Sequence, residues 1–119
     1  MDHLAIPVTD QERSRRFYEA YFGFGAFPSR VYDDGVLMLY DARGFALALG
    51  PYGADPAPAW WHFGLGLPSR DAVLALRDRY VADGLAIHEF HDEPDYVSVK
   101  VRDPDGYLVE ASWEPPRSS

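Results

Sequence analysis

The chain has 119 residues, 47% hydrophobic and 25% charged, enough to bury one compact core. Its 11 basic and 19 acidic side chains leave a formal net charge of −8, which disfavours nucleic acid and anionic membranes as partners and could favour a cationic ligand. Absence of cysteine excludes a disulfide framework and thiolate chemistry; with no apolar run of membrane-spanning length and no signal-peptide pattern in MDHLAIPVTD, a cytoplasmic protein is expected.

In chain order, residues 3–8 read as a strand with Leu4, Ile6 and Val8 on one face and His3, Ala5 and Pro7 on the other. Thr9 or Asp10 can cap a helix over 11–22 whose apolar side carries Phe17, Tyr18, Tyr21 and Phe22, and Gly23 and Gly25 end it. Strands are predicted over 27–32, 36–40 and 45–49, separated by Asp33-Asp34-Gly35 and Ala42-Arg43-Gly44 turns. Residues 50–59 hold three prolines and two glycines, the composition of a linker. The order then recurs: a strand over 61–67, a helix from Arg70 to about Asp83 with Ala72, Val73, Leu76 and Tyr80 inward, a strand over 86–91, an acidic loop over 91–95, and strands over 96–102 and 107–113 joined by the Asp103-Pro104-Asp105-Gly106 turn.

The recurrence is a sequence repeat. His3-Leu4-Ala5-Ile6-Pro7-Val8 aligns with His62-Phe63-Gly64-Leu65-Gly66-Leu67 at an offset of 62 − 3 = 59. Later, Asp41-Ala42-Arg43-Gly44-Phe45 aligns with Asp103-Pro104-Asp105-Gly106-Tyr107 at 103 − 41 = 62. The plan is one α+β domain of two βαβββ modules, 1–50 and 60–114, joined by a linker over 51–59, with helices outside a cup-shaped mixed sheet. Pseudo-symmetry brings together His3, Ala48, His62 and Glu110, three of which can bind a divalent metal. Two histidines and one carboxylate leave coordination positions for water or substrate. Strand parity supports the set: each of the three lies opposite its strand's core-facing residues, and the neighbours Ala5, Gly64 and Gly66 are small. A buried Glu110 also needs a partner charge, which a metal ion would supply. A lone strand histidine, by contrast, is more often only a hydrogen-bonded polar residue.

Parity places Tyr96, Ser98, Lys100 and Arg102 on the same face, opposite Val97, Val99 and Val101. Met38 corresponds to Lys100 at the offset of 62 and should line the other wall. Lys100 is read as a substrate-anchoring cation, a proton donor or a solvated edge lysine. His88 and His91, beside Asp92 and Glu93, are read as a surface loop rather than a second metal cluster. Trp61 should point to the core; Trp60 should line the cleft or a dimer contact.

His3 in DHLAIPVTD, RRFYEAYFGF, His62 in WWHFGLGLPS, and DPDGYLVEASW with Glu110 together resemble the vicinal oxygen chelate superfamily, the glyoxalase/bleomycin resistance/extradiol dioxygenase group. The resemblance covers nearly the whole chain. It implies paired βαβββ modules, metal ligands at His3, His62 and Glu110, and one divalent ion per site (Fe, Mn, Zn, Ni or Co). It also implies a small substrate that chelates this ion through oxygens, in lyase/isomerase or dioxygenase-type chemistry. On this reading Lys100 and Tyr96 are the candidate catalytic side chains, and Met38, Trp60, Ser98 and Arg102 the substrate-binding ones. Three departures narrow the range. Glyoxalase I-like members carry a carboxylate where Ala48 stands. Thiol-using fosfomycin-inactivating members carry Thr where Ala5 stands and Tyr where Lys100 stands. Bleomycin-binding members usually lack the triad that is kept here. The alternative is a non-catalytic protein that sequesters an aromatic or cationic drug. Small members commonly pair, and Trp60, Trp61 and Trp113 offer apolar surface, so a homodimer is expected.

Overall fold

The computed structural model describes residues 2–56, 58 and 60–116; of the linker expected over 51–59, Ala57 and Ala59 lie outside them. The chain divides into two compact units, Met1–Ala57 and Pro58–Ser119.

The first unit runs β1 (His3–Pro7), α1 (Gln11–Phe22), β2 (Phe27–Val31), β3 (Leu37–Tyr40) and β4 (Ala46–Gly50). Its sheet has the order β1-β4-β3-β2, with β1 parallel to β4 and the other pairs antiparallel. Asp10 caps α1 by accepting a hydrogen bond from the Arg13 amide, and Gly23 closes it in the left-handed conformation at φ 72°. Ile6, Leu37, Leu39, Leu47 and Leu49 are buried, as are Phe17 and Tyr18 of the helix. Gln11 ties the helix start to the sheet by donating to the carbonyls of Gly35 at 2.7 Å and Leu49 at 2.8 Å.

The second unit repeats this plan as β5 (His62–Gly66), α2 (Arg70–Ala82), β6 (Glu89–Glu93), β7 (Tyr96–Arg102) and β8 (Leu108–Trp113), in the sheet order β5-β8-β7-β6. Ser69 caps α2 by accepting from the Ala72 amide. Val73, Leu76 and Tyr80 of α2 are buried with Val97, Val99, Val101, Val109 and Ala111 of the sheet. Arg70 stands where Gln11 stands in the first unit. It pairs with Asp92 and donates to the Glu93 carbonyl at 2.5 Å, fastening the end of β6 to the helix start.

The repeat offsets hold in the strand registers. Ala5 opposes Ala48 in the first unit and Gly64 opposes Glu110 in the second, so 64 − 5 = 59 and 110 − 48 = 62. Met38 opposes Ala48 as Lys100 opposes Glu110. The turns repeat as well. Asp41 Oδ1 accepts from the amides of Arg43 and Phe45, both at 2.9 Å, and Asp103 Oδ1 accepts from those of Asp105 and Tyr107, both at 2.9 Å. In each case the carboxylate gathers two amide donors that the turn would otherwise leave unpaired, and a glycine takes the left-handed position, Gly44 at φ 85° and Gly106 at φ 92°.

One boundary differs from expectation. The strand predicted over 86–91 lies at Glu89–Glu93, and the acidic loop over 91–95 shrinks to a Pro94-Asp95 turn, with Glu93 paired to Tyr96. A two-residue hairpin continues the ladder to its limit, so charged residues enter the strand because pairing, not polarity, decides their backbone state. Among the described residues no helix is long and apolar enough to cross a membrane.

Candidate functional site

The face of the second sheet opposite α2 carries the charged groups. Pairing aligns Gly64, Glu110, Lys100 and Glu89 in one row across β5, β8, β7 and β6, and Gly66, Ser112, Ser98 and His91 in the next. These strands run this way because alternate valines, Val97, Val99 and Val101, are drawn under the helix, which leaves Tyr96, Ser98 and Lys100 on the other face.

Glu110 is the centre. It is 9% exposed, and three groups converge on its carboxylate. Tyr96 donates its phenol to Oε1 at 2.5 Å, His62 Nε2 lies 3.3 Å from Oε2, and Lys100 Nζ lies 3.8 Å from Oε2. The counter-charge that a buried Glu110 requires is thus present in the chain, in Lys100. The ammonium in turn donates to Glu89 Oε2 at 3.0 Å, and His91 Nε2 lies 2.6 Å from Glu89 Oε1.

Those contacts set the proton affinities. Hydrogen bonding to Glu89, with the Glu110 charge nearby, raises Lys100 above its ordinary value, so it stays an ammonium despite partial burial. Burial and the bond to Glu110 raise the Tyr96 phenol, which stays protonated and donating. His91 and then Lys100 pull Glu89 down to about 2.

Each imidazole has an oxygen neighbour at Nδ1. His62 Nδ1 lies 3.2 Å from the Trp60 carbonyl, and its Nε2 faces the Glu110 carboxylate, so both ring nitrogens meet oxygen acceptors. In the first unit His3 Nδ1 lies 2.7 Å from Asp2 Oδ1, an acceptor that favours the proton on Nδ1. Two donors bound to one ion at ordinary Zn–N and Zn–O lengths stand about 3.0–3.4 Å apart, and the His62–Glu110 separation of 3.3 Å suits that bite. His62 and Glu110 therefore offer two of the donors that a divalent ion needs. A Cβ placed on Gly64, opposite Glu110, would meet the Cβ and the carbonyl oxygen of Glu110 at 3.7 Å, an ordinary contact, and one on Gly66 in the next row would meet nothing within 4 Å. Among the described residues no group of three or more His, Cys, Asp or Glu side chains is gathered closely enough to hold an ion.

Of the residues singled out from sequence, His62, Glu110, Lys100 and Tyr96 come together. Ser98 lies on the same face, fully buried, with no partner in hydrogen-bonding geometry, and its hydroxyl works against the rise in the Tyr96 phenol. Trp60 stacks edge-on to His62 with ring centres 5.3 Å apart, and is 82% exposed. Arg102 turns instead to its own hairpin, donating to the Gly106 carbonyl at 2.8 Å. His3 and Met38 belong to the first unit, His3 exposed on β1 and Met38 opposite Ala48. Trp61 packs against Phe63 and Tyr107. Sequence reasoning missed Glu89 and assigned His91 to a surface loop. Counting back from Tyr96 through a two-residue turn would have put Glu93, His91 and Glu89 on the site face.

Two successive βαβββ units are the plan of a recognised class. The profile of the Glyoxalase/Bleomycin resistance protein/Dioxygenase superfamily matches residues 1–111, and the chain belongs to that family. Among curated proteins no sequence matches it. Solved structures share the fold. One is a possible glyoxalase from Bacillus cereus, 24% identical with a TM-score of 0.74 over 93% of this chain and 96% of that one. Another is a lactoylglutathione lyase from Agrobacterium tumefaciens, 21% identical with a TM-score of 0.73 over 95% and 92%. A third is TnmS3, an antibiotic-binding protein from Streptomyces sp. CB03234, 22% identical with a TM-score of 0.72 over 97% and 95%.

Proposed function

We propose that the protein is a divalent-metal-dependent enzyme acting on a small substrate that offers the metal two oxygens, in lyase/isomerase or dioxygenase-type chemistry. His62, Glu110 and His3 would hold the ion, which could be Fe, Mn, Zn, Ni or Co. The observation that carries this reading is the approach of His62 Nε2 to within 3.3 Å of Glu110 Oε2. When bound, such an ion supplies Lewis-acid polarisation of a substrate oxygen. The chain's own groups do the rest. Lys100, kept as an ammonium, anchors a negative oxygen of the substrate. Tyr96 fixes the Glu110 carboxylate by its hydrogen bond. Trp60 offers an exposed ring for stacking, and Met38 would add a further substrate contact.

The second reading, a binding protein that sequesters an aromatic or cationic drug, draws on the Lys100–Glu110 contact, which balances the carboxylate without an ion. Elemental analysis of protein purified without added metal, with calorimetry on wild type and His62→Ala, separates the two. The enzyme reading expects about one ion per chain and its loss in the variant. Equal Ni²⁺ affinity in both proteins rejects the ligand assignment. Drug binding that is unchanged by chelator supports sequestration.

Each cup would be completed in a homodimer, with one divalent ion per site and no nucleic-acid or membrane partner, in the cytoplasm.

A further inference from the structure

We infer that Glu89 is a positioning residue that holds the Lys100 ammonium off Glu110, leaving the Glu110 carboxylate open to a cation; this rests on the metal-ligand reading above. Lys100 sits between two carboxylates in one cross-strand row, Glu110 on β8 and Glu89 on β6. It hydrogen-bonds Glu89 at 3.0 Å and stands back from Glu110 at 3.8 Å. Its side chain is only 14% exposed, so the ammonium has little water to turn to and must take a carboxylate. Glu89 is itself held, because His91 engages its other oxygen and Arg70 fastens the end of β6.

The fold does not need this row of charges. The equivalent row of the first unit is Ala5, Ala48, Met38 and Arg30, and it makes the same sheet. Glu89 corresponds to Arg30 at 89 − 30 = 59, so an acid at this position belongs to the second unit alone. Without the Glu89 charge, the near carboxylate for Lys100 is Glu110. A flexible four-carbon stem can close the remaining gap, and the tightened ion pair would compete with any cation at Oε2.

The test titrates Ni²⁺ into wild type, Glu89→Gln, Lys100→Met and the double variant by calorimetry, and solves the metal-free structure of Glu89→Gln. The single Glu89→Gln change should weaken Ni²⁺ binding roughly tenfold. Lys100→Met should bind at least as tightly as wild type, and the double variant should match Lys100→Met, because Glu89 acts through the ammonium. In the variant structure Lys100 Nζ should lie within hydrogen-bonding distance of Glu110. Wild-type affinity in Glu89→Gln, a double variant as weak as Glu89→Gln alone, or an ammonium that stays at the substituted side chain overturns the inference. If no protein in the set binds Ni²⁺, the metal reading falls, and the position of Lys100 in the variant structure still decides the role of Glu89. Glu89→Ala repeats both measurements should the isosteric variant fail to fold.

Discussion

His62 Nε2 and Glu110 Oε2 lie 3.3 Å apart, although 110 − 62 = 48 positions separate them in the chain. The parallel pairing of β5 with β8 causes this. It sets Gly64 opposite Glu110 and His62 opposite Leu108, so the two side chains lean together on one face with only a glycine between. Parallel neighbours require a crossover, here α2 and two further strands, which is why the pair is invisible as a local motif.

Asp2 should matter to metal affinity without touching the ion. Its carboxylate fixes the His3 tautomer, and a partner of this kind typically changes affinity 10–100-fold. Asp2→Ala is expected to weaken Ni²⁺ binding roughly tenfold with no shift in melting temperature, both Asp2 and His3 being exposed. Calorimetry and a thermal melt on the metal-free protein check this; unchanged affinity would remove His3 from the ligand set.

Asp103 should matter to stability. It is 5% exposed, and one oxygen holds two amides of the turn before β8. Asp103→Ala leaves those donors short of an acceptor, a loss of about 1–3 kcal/mol. Urea unfolding should show a lower midpoint at unchanged slope. A midpoint within error of wild type would mean that water replaces the carboxylate at no cost.

Glu89 should remain ionised far into acid. Its folded-state value of about 2 lies below the ordinary 4.5, through His91 on its own strand and Lys100 on the next. A depressed carboxylate contributes stability that is complete above the unfolded value and disappears as pH falls through the folded one. The window is therefore between about pH 4.5 and pH 2. The difference in stability between wild type and Glu89→Gln should shrink as pH falls across that window. Carbon-13 titration of the Glu89 carboxyl gives the value directly, and a midpoint near 4.5 would contradict the contacts.

Assembly can be read by complementation. If each site draws His3 from one chain and Glu110 from its partner, mixing His3→Ala with Glu110→Ala chains restores about a quarter of the sites by random exchange under two-fold symmetry. A dimer with no restored Ni²⁺ binding would show that each chain closes its own site. A monomer in sedimentation at micromolar concentration would remove the dimer itself.

The sequence alone determined the repeat, the helix limits and the faces. Those depend on local physics: Asp10 and Ser69 cap, Gly23 stops, and alternation along Tyr96–Arg102 sorts valines from polar residues. The offsets of 59 and 62 then followed by counting, and the strand registers reproduce them. Tertiary structure decided what the polar residues touch. That Lys100 is shared between Glu89 and Glu110, that Tyr96 caps Glu110, and that Arg102 turns back to Gly106 depend on rotamers and on cross-strand neighbours. Side-chain period tells only which face a residue joins; which of several charges on that face pair is settled by separations of about an ångström, which depend on twist, register and burial together. Glu89 and His91 show the boundary between the two. Their chemistry was in plain view, but their place was not, until the ladder ran on through Glu93 to a turn of two residues.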